Sequence, residues 1–403
     1  MTDTGRFDVC IVGAGLIGLA VARSLVESHE GISIVVLDKE DRVGAHQSSH
    51  NSGVVHSGLY YKPGSLKARL CVEGRDAVHS VCEEAGVAHA RTGKLVIATE
   101  PSEIPALDEL ERRGRANGLV AMTRIGPADI SEIEPAATGI AALHVPEAGV
   151  ADYPALANHL ASQLVRGGVS IFNNAGVTGI RQALDVTATT SHAEFRSRIL
   201  VNCAGLFSDS VARLAGVTPG VRIVPFRGEY YKLTESASSL VRNLIYPVPD
   251  PRFPFLGVHF TRTVGGEVEV GPNAVLAFGR EHYRNTPADW TELRSILSYP
   301  GFRKLASRHF LSGSRELMNS RSRHLYARQA RKLVPALHSG DLIKGGAGVR
   351  AQAVDASGNL VDDFVIETAG RTINVLNAPS PGATASLAIG NHIAREAAAI
   401  LAG

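Results

Sequence analysis

Histidines and an arginine in three short segments have side chains suited to proton transfer and anion binding. The segment HQSSHNSGVVHSGLYYKPGSLKARLC, residues 46–71, contains His56 among serines and glycines. The other two are GVHFTR, with His259, and GAGVRAQ, with Arg350. An imidazole titrates near neutral pH and can act as a general base. A guanidinium binds a carboxylate through two parallel hydrogen bonds.

The segment around His56 is too polar for a protein core and too rich in small residues for an ordinary solvated loop. Glycine and serine leave room for a ligand to approach the backbone closely. The composition therefore indicates that a ligand lies against this segment. Beyond it, Ser65 is a candidate N-cap for a helix whose apolar residues recur at roughly helical spacing.

The N-terminal sequence predicts the element that positions such a ligand. FDVCIVGAGLIGLAVARSLVE combines a run of β-formers, the glycines Gly13, Gly15 and Gly18, and a helical pattern, and ISIVVLD then ends at Asp38. This order is the βαβ unit that binds dinucleotides. Gly13 allows the tight turn, Gly15 the approach of a pyrophosphate, and Gly18 close packing of the helix. Asp38 is expected to accept hydrogen bonds from a ribose.

Composition excludes several other classes of protein. The 403 residues are 44% hydrophobic with a formal net charge of +2, which does not indicate a nucleic-acid partner. The four cysteines are scattered without metal-ligand spacing, so we expect reduced thiols and no metal. Neither a signal peptide nor a membrane span is apparent.

Three later segments favour FAD over NAD as the dinucleotide. Residues 168–180 read as two strands joined by a turn, and residues 197–216 as a strand ending at NCAG followed by a helix. In residues 370–401 a strand precedes a long helix, for which Ser380 is the expected N-cap and Pro381 the first turn.

These segments resemble the FAD-dependent oxidoreductases of the D-amino-acid oxidase and glycine oxidase class. Within that class, the sequence is similar to the L-2-hydroxyglutarate dehydrogenase/oxidase family. The similarity rests on HNSGVVHSGLYYKPGSLKARLC, PFRGEYYKL, FLGVHFTR, GPNAVLAFGREHY, AGVRAQAVDASGNLVDDFVIE and NAPSPGATASLAIG, which span nearly the whole chain.

The resemblance implies an α/β fold, with a Rossmann-like FAD-binding domain (1–88, 146–220 and 342–403) and an interleaved α+β substrate domain (89–145 and 221–341). It also implies oxidation of L-2-hydroxyglutarate to 2-oxoglutarate, with electrons passed to a quinone or to oxygen. One alternative is an amine or amino-acid oxidase on the same scaffold. Another is a flavin-binding subunit without turnover.

Site residues follow from the same resemblance. His56 and His259 are alternative bases, and Arg350 is the expected clamp for the substrate carboxylate, although Arg350 can instead pair with Asp355 or Asp362. A second carboxylate would need further donors, for which the candidates are Tyr60, Lys62, Arg262 and Arg227, although Arg227 can instead pair with Glu229. The residues expected to bind FAD, besides the fingerprint glycines and Asp38, are Ser48, Asn51, Ser52, Gly53, Val177, Ala204, Gly205, Ser380, Gly382, Ala383 and Thr384.

Residues 291–332 carry ten Lys or Arg and two Glu, with apolar residues at helical spacing. Short basic amphipathic helices are one design for resting on an anionic membrane. A cluster exposed to solvent or facing another subunit is the alternative. The membrane interpretation predicts a cytoplasmic protein that docks peripherally on the inner face of the cell membrane and passes electrons to a membrane quinone.

Overall fold

The computed structural model describes residues 2–250, 257–273, 275–283, 289–308 and 322–402. Residues 300–308 are helical, and the other described helices are α1 (Leu16–Ser28), α2 (Leu66–Ala85), α3 (Ile104–Ala116), α4 (Pro127–Ile133), α5 (Tyr153–Arg166), α6 (Ser208–Leu214), α7 (Glu235–Ser238), α8 (Trp290–Ser298), α9 (Arg323–Ala330) and α10 (Ser386–Ala402). The described strands are β1 (Thr2–Val12), β2 (Ile34–Leu37), β3 (Val54–Val55), β4 (His89–Ala90), β5 (Lys94–Ala98), β6 (Thr123–Ile125), β7 (Ala141–Val145), β8 (Gly149–Ala151), β9 (Ser170–Phe172), β10 (Val177–Gln182), β11 (Val186–Thr190), β12 (Ala193–Asn202), β13 (Val221–Leu233), β14 (Leu244–Pro247), β15 (His259–Arg262), β16 (Val268–Gly271), β17 (Val275–Leu276), β18 (Leu342–Asp355), β19 (Val365–Ala369) and β20 (Thr372–Asn377).

The first sheet is doubly wound. Its order is β10-β11-β12-β1-β2-β9, and β20 pairs with β12 and β19. The central pairs β12–β1, β1–β2 and β2–β9 are parallel. Because parallel strands need crossovers, the chain passes through a helix between β1 and β2. The predicted βαβ unit is confirmed, and so are the strands predicted within 168–180 and 197–216.

Two helices from opposite ends of the chain pack directly on each other beside this sheet. The apolar face of α1 lies against α10 in one core cluster. At Gly390 an added Cβ would come within 2.6 Å of the carbonyl carbon of Ala20, so the two backbones are nearly in contact. The terminal helix therefore completes the core around the N-terminal βαβ unit.

The second sheet has the order β17-β13-β16-β15-β14-β5-β7-β6, and β18 pairs antiparallel with β13 over most of its length. One face of this second sheet packs against the apolar residues of α4 and α9. We expected residues 342–403 to belong to the FAD-binding domain. Residues 342–355 instead form β18, which pairs with β13 of the second sheet. The chain returns to the first sheet at β19.

Local capping follows the sequence prediction at α2. The Ser65 Oγ accepts a hydrogen bond from the Ala68 backbone N–H at 3.1 Å, as expected for an N-cap. Within the part of the chain that the structure describes, no helix combines the length and the apolar character needed to cross a bilayer.

Candidate active site

A cavity of about 680 Å³ lies between the carboxyl ends of the parallel strands and one face of the second sheet. Ligands of doubly wound folds bind at this edge of the sheet. The cavity walls come from both ends of the chain, including Gly13 and Gly15 on one side and Gly382 and Thr384 on another. Its size is typical of a site for a cofactor together with a small substrate.

The fingerprint glycines have three distinct roles. At Gly13, with φ +106°, an added Cβ would overlap the carbonyl oxygen of Cys203. At Gly18 an added Cβ would overlap the carbonyl oxygen of Gly13, which confirms close packing of the helix onto the turn. Gly15 has an ordinary φ of −77° and lines the cavity, where an added Cβ would meet only the Ser48 Oγ, at 3.2 Å. Gly15 is thus the position that leaves space for a ligand.

Asp38 lies at the cavity edge and holds the glycine turn. Its Oδ2 accepts a hydrogen bond from the Ala14 N–H at 2.7 Å, and its Oδ1 accepts one from the Glu40 N–H at 2.9 Å. The side chain is half-buried and lines the cavity. Each carboxylate oxygen has further acceptor capacity, so the geometry is compatible with the predicted ribose contact.

The serine-rich segment runs along the cavity as expected, with one correction. Ser48, Asn51 and Ser52 line the cavity, and the Ser48 Oγ accepts a hydrogen bond from the Leu16 N–H at 3.0 Å. Asn51 shapes the segment, because its Oδ1 accepts from the Gly53 N–H. Gly53 is not part of the lining: its φ is +69° and its backbone pairs with Ala151. Gly53 therefore serves the turn and not the ligand.

The far wall of the dinucleotide region contains the other predicted residues. Val177, Ala204 and Gly205 line the cavity, and so do Ser380, Gly382, Ala383 and Thr384. The expected helix start at Ser380 is wrong, however, since α10 begins at Ser386. Residues 380–385 instead form turns, in which the Gly382 N–H donates to the Pro379 carbonyl and the Ala385 N–H to the Pro381 carbonyl.

The substrate wall is one face of the second sheet. Strand alternation directs Gly228 and Tyr230 of β13, and Gly348 and Arg350 of β18, toward the cavity. Tyr246 of β14 also lies on this wall. Small residues beside aromatic and cationic ones leave a recess next to the dinucleotide region.

His259 is buried on this wall with a fixed tautomer. Its Nδ1 lies 2.8 Å from the Gly257 carbonyl oxygen. Because a carbonyl only accepts, the ring proton is on Nδ1, and Nε2 is the acceptor. The ring packs on Tyr246 with 4.0 Å between centroids. Burial lowers the pKa of His259 to about 3, an effect that the Gly257 hydrogen bond opposes and the charges of Arg350 and Lys94 reinforce.

His56 is held against the turns at 380–385. Its backbone N–H donates to the Thr384 Oγ1 at 3.0 Å, and its Nε2 lies 3.2 Å from the Ser380 Oγ. Its Nδ1 is buried without a hydrogen-bond partner among the described residues. Burial lowers the pKa of His56 to about 3, with smaller contributions from the charges of Lys94, His259, Lys67 and Arg350. Both histidines are thus neutral at pH 7.

Arg350 lies on the cavity wall, within electrostatic reach of both histidines. It is half-buried in the middle of β18, opposite Phe226 of β13. Its charge also lowers the pKa values of His56 and His259. The predicted clamp and both candidate bases are therefore brought together by the fold.

Three of the four candidates for a second carboxylate do not fit. Lys62 is exposed and outside the cavity lining. Arg262 is also outside the lining and donates to the carbonyls of Ser238 and Val241. Arg227 pairs with Glu229 at 3.3 Å, as the alternative interpretation expected. Tyr60 does line the cavity.

Sequence reasoning missed two buried lysines beside the site. Lys67 lines the cavity, and its Nζ pairs with Asp362 at 2.8 Å. Lys94 lies behind Tyr60 and Tyr246, with its Nζ 4.5 and 4.9 Å from their ring centroids. Lys94 opens a strand that is otherwise apolar, KLVIA. A lysine at an inward position of a buried strand was the signal available in the sequence.

One group outside the substrate wall has the geometry of metal ligands. Glu40, His46 and Glu281 present ligand atoms within 4.8 Å of one another. The Lys39 ammonium, however, forms ion pairs with both carboxylates. The position between the two carboxylates is thus already occupied by a cationic side chain.

The neutral histidines predict an acid-sensitive fold. The pKa of His259 is about 3 in the folded protein and about 6.5, the ordinary value, in the unfolded chain. The unfolded chain therefore binds more protons below pH 6.5, and the free energy of unfolding falls as the pH drops through this value. Between pH 7 and pH 5, His259 should cost about 2 kcal/mol. Urea unfolding of the holoprotein at both pH values should show this loss reduced in His259→Gln. Replacing the exposed His324 by Gln should leave the pH dependence unchanged, and an equal effect of both variants would contradict the assignment.

The residues around the cavity fit a flavin dinucleotide. Gly15 leaves free space at the turn, Asp38 keeps acceptor capacity for a ribose, and the loops at 44–52 and 378–384 carry small or polar side chains along the cavity. The recess on the second sheet would then place a substrate beside the ring. The fold and the cavity together define a flavin-dependent oxidoreductase.

Comparisons with known proteins agree with this class. The model of the family described as FAD dependent oxidoreductase matches residues 8–396. L-2-hydroxyglutarate dehydrogenase of Indibacter alkaliphilus is 46% identical over 96% of this chain and 98% of its own length. The human mitochondrial L-2-hydroxyglutarate dehydrogenase is 43% identical over 98% and 89%. The chain therefore belongs to the FAD dependent oxidoreductase family and, within it, to the L-2-hydroxyglutarate dehydrogenases, and its cofactor is FAD.

Solved structures show the same fold at low sequence identity. L-α-glycerophosphate oxidase from Mycoplasma pneumoniae, dithionite-reduced and with FAD bound, superposes with a TM-score of 0.80 at 22% identity and covers 99% of this chain and 96% of its own. Glycine oxidase from Geobacillus kaustophilus gives 0.74 at 18% identity, over 98% and 95%. These likenesses concern the architecture alone.

Proposed function

We propose that this protein oxidises L-2-hydroxyglutarate to 2-oxoglutarate with FAD as the electron acceptor. The observation that carries the proposal is the convergence of Arg350, His56 and His259 on one recess that opens into the dinucleotide cavity. The names of relatives at 39–46% identity support the choice of substrate. Oxidation of the alcohol removes a hydride from C2 and a proton from the hydroxyl, and leaves a C=O bond.

Arg350 is proposed to bind the carboxylate next to C2. A planar guanidinium fixes both the position and the orientation of that group, which directs the C2 hydrogen toward the dinucleotide. Bound FAD supplies the two-electron acceptor for that hydrogen. The aromatic side chains of Tyr230 and Tyr246 lie on the same wall, where they are proposed to limit access of water to the recess.

His56 is proposed as the base that takes the hydroxyl proton. It is the histidine anchored to the turns at Ser380 and Thr384, beside the expected position of the flavin, and it is neutral at pH 7. His259, whose ring is packed on Tyr246 of the substrate wall, is proposed to position the substrate.

Matched glutamine variants of the two histidines separate these roles. His56→Gln should slow flavin reduction by about 100-fold or more while FAD content stays normal, the typical loss for a general base. His259→Gln should mainly raise KM. Anaerobic stopped-flow reduction over a range of substrate concentrations measures both. The reverse pattern would transfer the role of base to His259.

The visible spectrum of the purified protein tests the proposed function. A yellow protein whose flavin band bleaches anaerobically with L-2-hydroxyglutarate, but not with the D isomer or with amino acids, supports it. Bleaching by an amino acid would favour the amino-acid oxidase alternative. A flavoprotein that no substrate of either kind reduces would favour the non-catalytic subunit.

We further propose that the basic segment docks the protein on an anionic membrane, where a quinone can accept the electrons. Fewer apolar residues of this segment can contact a membrane than the sequence indicated, because Phe302, Leu305 and Leu333 are buried in the protein. On α8, Trp290 and Leu297 are 75% and 49% exposed and lie seven residues apart on one face. Arg315 and Arg321 of this segment lie outside the described residues.

Vesicle co-sedimentation tests the docking proposal. Binding should require anionic lipid and weaken with added salt, since exposed charges are screened over about 8–10 Å at ordinary ionic strength. Reversal of the exposed Arg303, Lys304 and Arg308 to Glu should abolish it and leave flavin reduction intact. The same reversal at three exposed arginines elsewhere (Arg166, Arg181 and Arg395) is the control. Absence of binding at low salt would leave oxygen or a soluble acceptor.

A further inference from the structure

Lys94 is a buried cation without a hydrogen-bond partner. The residue is 1% exposed, and its Nζ has no partner among the described residues. Its polar contacts are the faces of two aromatic rings, those of Tyr60 and Tyr246. An ammonium group buried in this way is costly unless an anion accompanies it. Within the described ranges, no carboxylate forms an ion pair with Lys94 that would compensate its charge.

The two aromatic rings beside Lys94 belong to the wall of the substrate recess. Tyr60 and Tyr246 both line the cavity. Lys94 and Leu244 are in register on β5 and β14, so Tyr246, two residues along, projects from the same face of the sheet. The Tyr60 hydroxyl is also buried without a hydrogen-bond partner in the described structure. Two unused donors thus lie together behind one part of the wall.

We infer that Lys94 and Tyr60 form the subsite for the second carboxylate of a dicarboxylate substrate, an inference that rests on the proposed function. Tyr60 lines the recess, and its buried hydroxyl is the donor that we assign to the carboxylate, while Lys94, behind the two rings, supplies the opposite charge on a flexible stem. The charges of Lys94 and Arg350 both act on His56 and on His259. Both histidines are therefore within electrostatic reach of the two cations that the inference assigns to the two carboxylates.

The other cations near this wall are already engaged or point elsewhere. Lys67 is paired with Asp362, and Arg227 with Glu229. Lys62 is exposed to solvent, whereas Lys94, which is also outside the cavity lining, is buried directly behind two rings of the wall. Burial lowers the pKa of Lys94 to about 7, and the influence of Cys71 opposes this only in part. A carboxylate bound beside it would favour the charged ammonium.

The inference predicts a loss that depends on the second carboxylate. The Lys94→Met holoenzyme should show kcat/KM for L-2-hydroxyglutarate reduced by about 100-fold or more, the scale of a lost buried charge pair. For L-2-hydroxypentanoate, which has the same chain length but no second carboxylate, it should change by less than about 3-fold on the same scale. Equal losses for the two substrates, or no loss for either, would overturn the inference.

A second variant and a control variant complete this test. Tyr60→Phe removes only the hydroxyl and should also weaken the diacid selectively, which tests the subsite even if Lys94→Met fails to retain FAD. Lys62→Met removes a nearby exposed charge and should leave both substrates unchanged.

Binding to the oxidised holoenzyme separates the subsite from the proposed reaction. Glutarate, followed by its perturbation of the flavin spectrum, should bind wild type more tightly than pentanoate does, and Lys94→Met should remove the difference. A wild-type protein that binds glutarate selectively but is not reduced by L-2-hydroxyglutarate would refute the proposed function alone. Equal affinity for glutarate and pentanoate in wild type would refute the subsite.

Discussion

Gly15→Val should yield a folded protein that purifies without FAD. Gly15 has a φ that any residue adopts, and the only atom near an added Cβ is the Ser48 Oγ, at 3.2 Å. The fold can accept the side chain if the Ser48 hydroxyl shifts by a few tenths of an ångström, while the methyl groups of valine fill the space at the dinucleotide turn. Flavin absorbance per protein should fall to background, and far-ultraviolet circular dichroism should stay close to that of wild type.

Substitutions at two other glycines serve as controls for this experiment. Gly126 has a negative φ and open space around it, so Gly126→Val should keep full FAD content. Gly13→Ala should fail to fold, because φ is +106° and the new Cβ overlaps a backbone oxygen. Full FAD occupancy in Gly15→Val would refute the dinucleotide assignment of this turn.

Arg350→Ala should lower kcat/KM for L-2-hydroxyglutarate by about 30-fold to several thousand-fold. The range corresponds to a loss of about 2–5 kcal/mol, typical when one partner of a buried charge-assisted pair is removed. FAD content should remain near normal, because Arg350 lies on the second sheet and not on the dinucleotide turn. Steady-state kinetics and flavin absorbance measure the two effects.

A lysine at this position tests the planar contact separately. Arg350→Lys keeps the charge but loses bidentate geometry, so its kcat/KM should fall between wild type and Arg350→Ala. Arg242 is exposed and outside the cavity lining, and Arg242→Ala should leave kcat/KM unchanged. Wild-type kcat/KM in Arg350→Ala would show that another group binds the carboxylate.

The dinucleotide region could be predicted from sequence because its constraints are local. Gly13, Gly15 and Gly18 must occupy one turn between a strand and a helix, and their spacing together with the flanking apolar runs and Asp38 specifies it. The same holds for Ser65, whose side chain caps the helix directly after it. His259, named as a candidate base from the resemblance, lines the cavity.

The substrate region was harder because it depends on which face of a sheet a side chain occupies. The alternation that directs His259 and Thr261 to one face puts Arg262 on the other, a consequence that our choice of Arg262 overlooked. Whether Lys62 or Lys67 lies in the cavity wall depends on how the chain turns before α2, and no local sequence pattern specifies that turn. The start of α10 was misplaced because Ser380 and Pro381 also suit a turn.

The packing of α10 on α1 has a consequence for biosynthesis. Some 370 residues separate Ala20 from Gly390, which lie in contact. At about 5–20 residues per second, the ribosome needs roughly 20–75 s to make that stretch. Throughout this interval the nascent N-terminal unit exposes the apolar face that its final partner covers, and the turns at 380–385 that border the cavity do not yet exist. Flavin loading is therefore expected only after residues 380–402 have been synthesised, and until then the exposed apolar face is a target for chaperones.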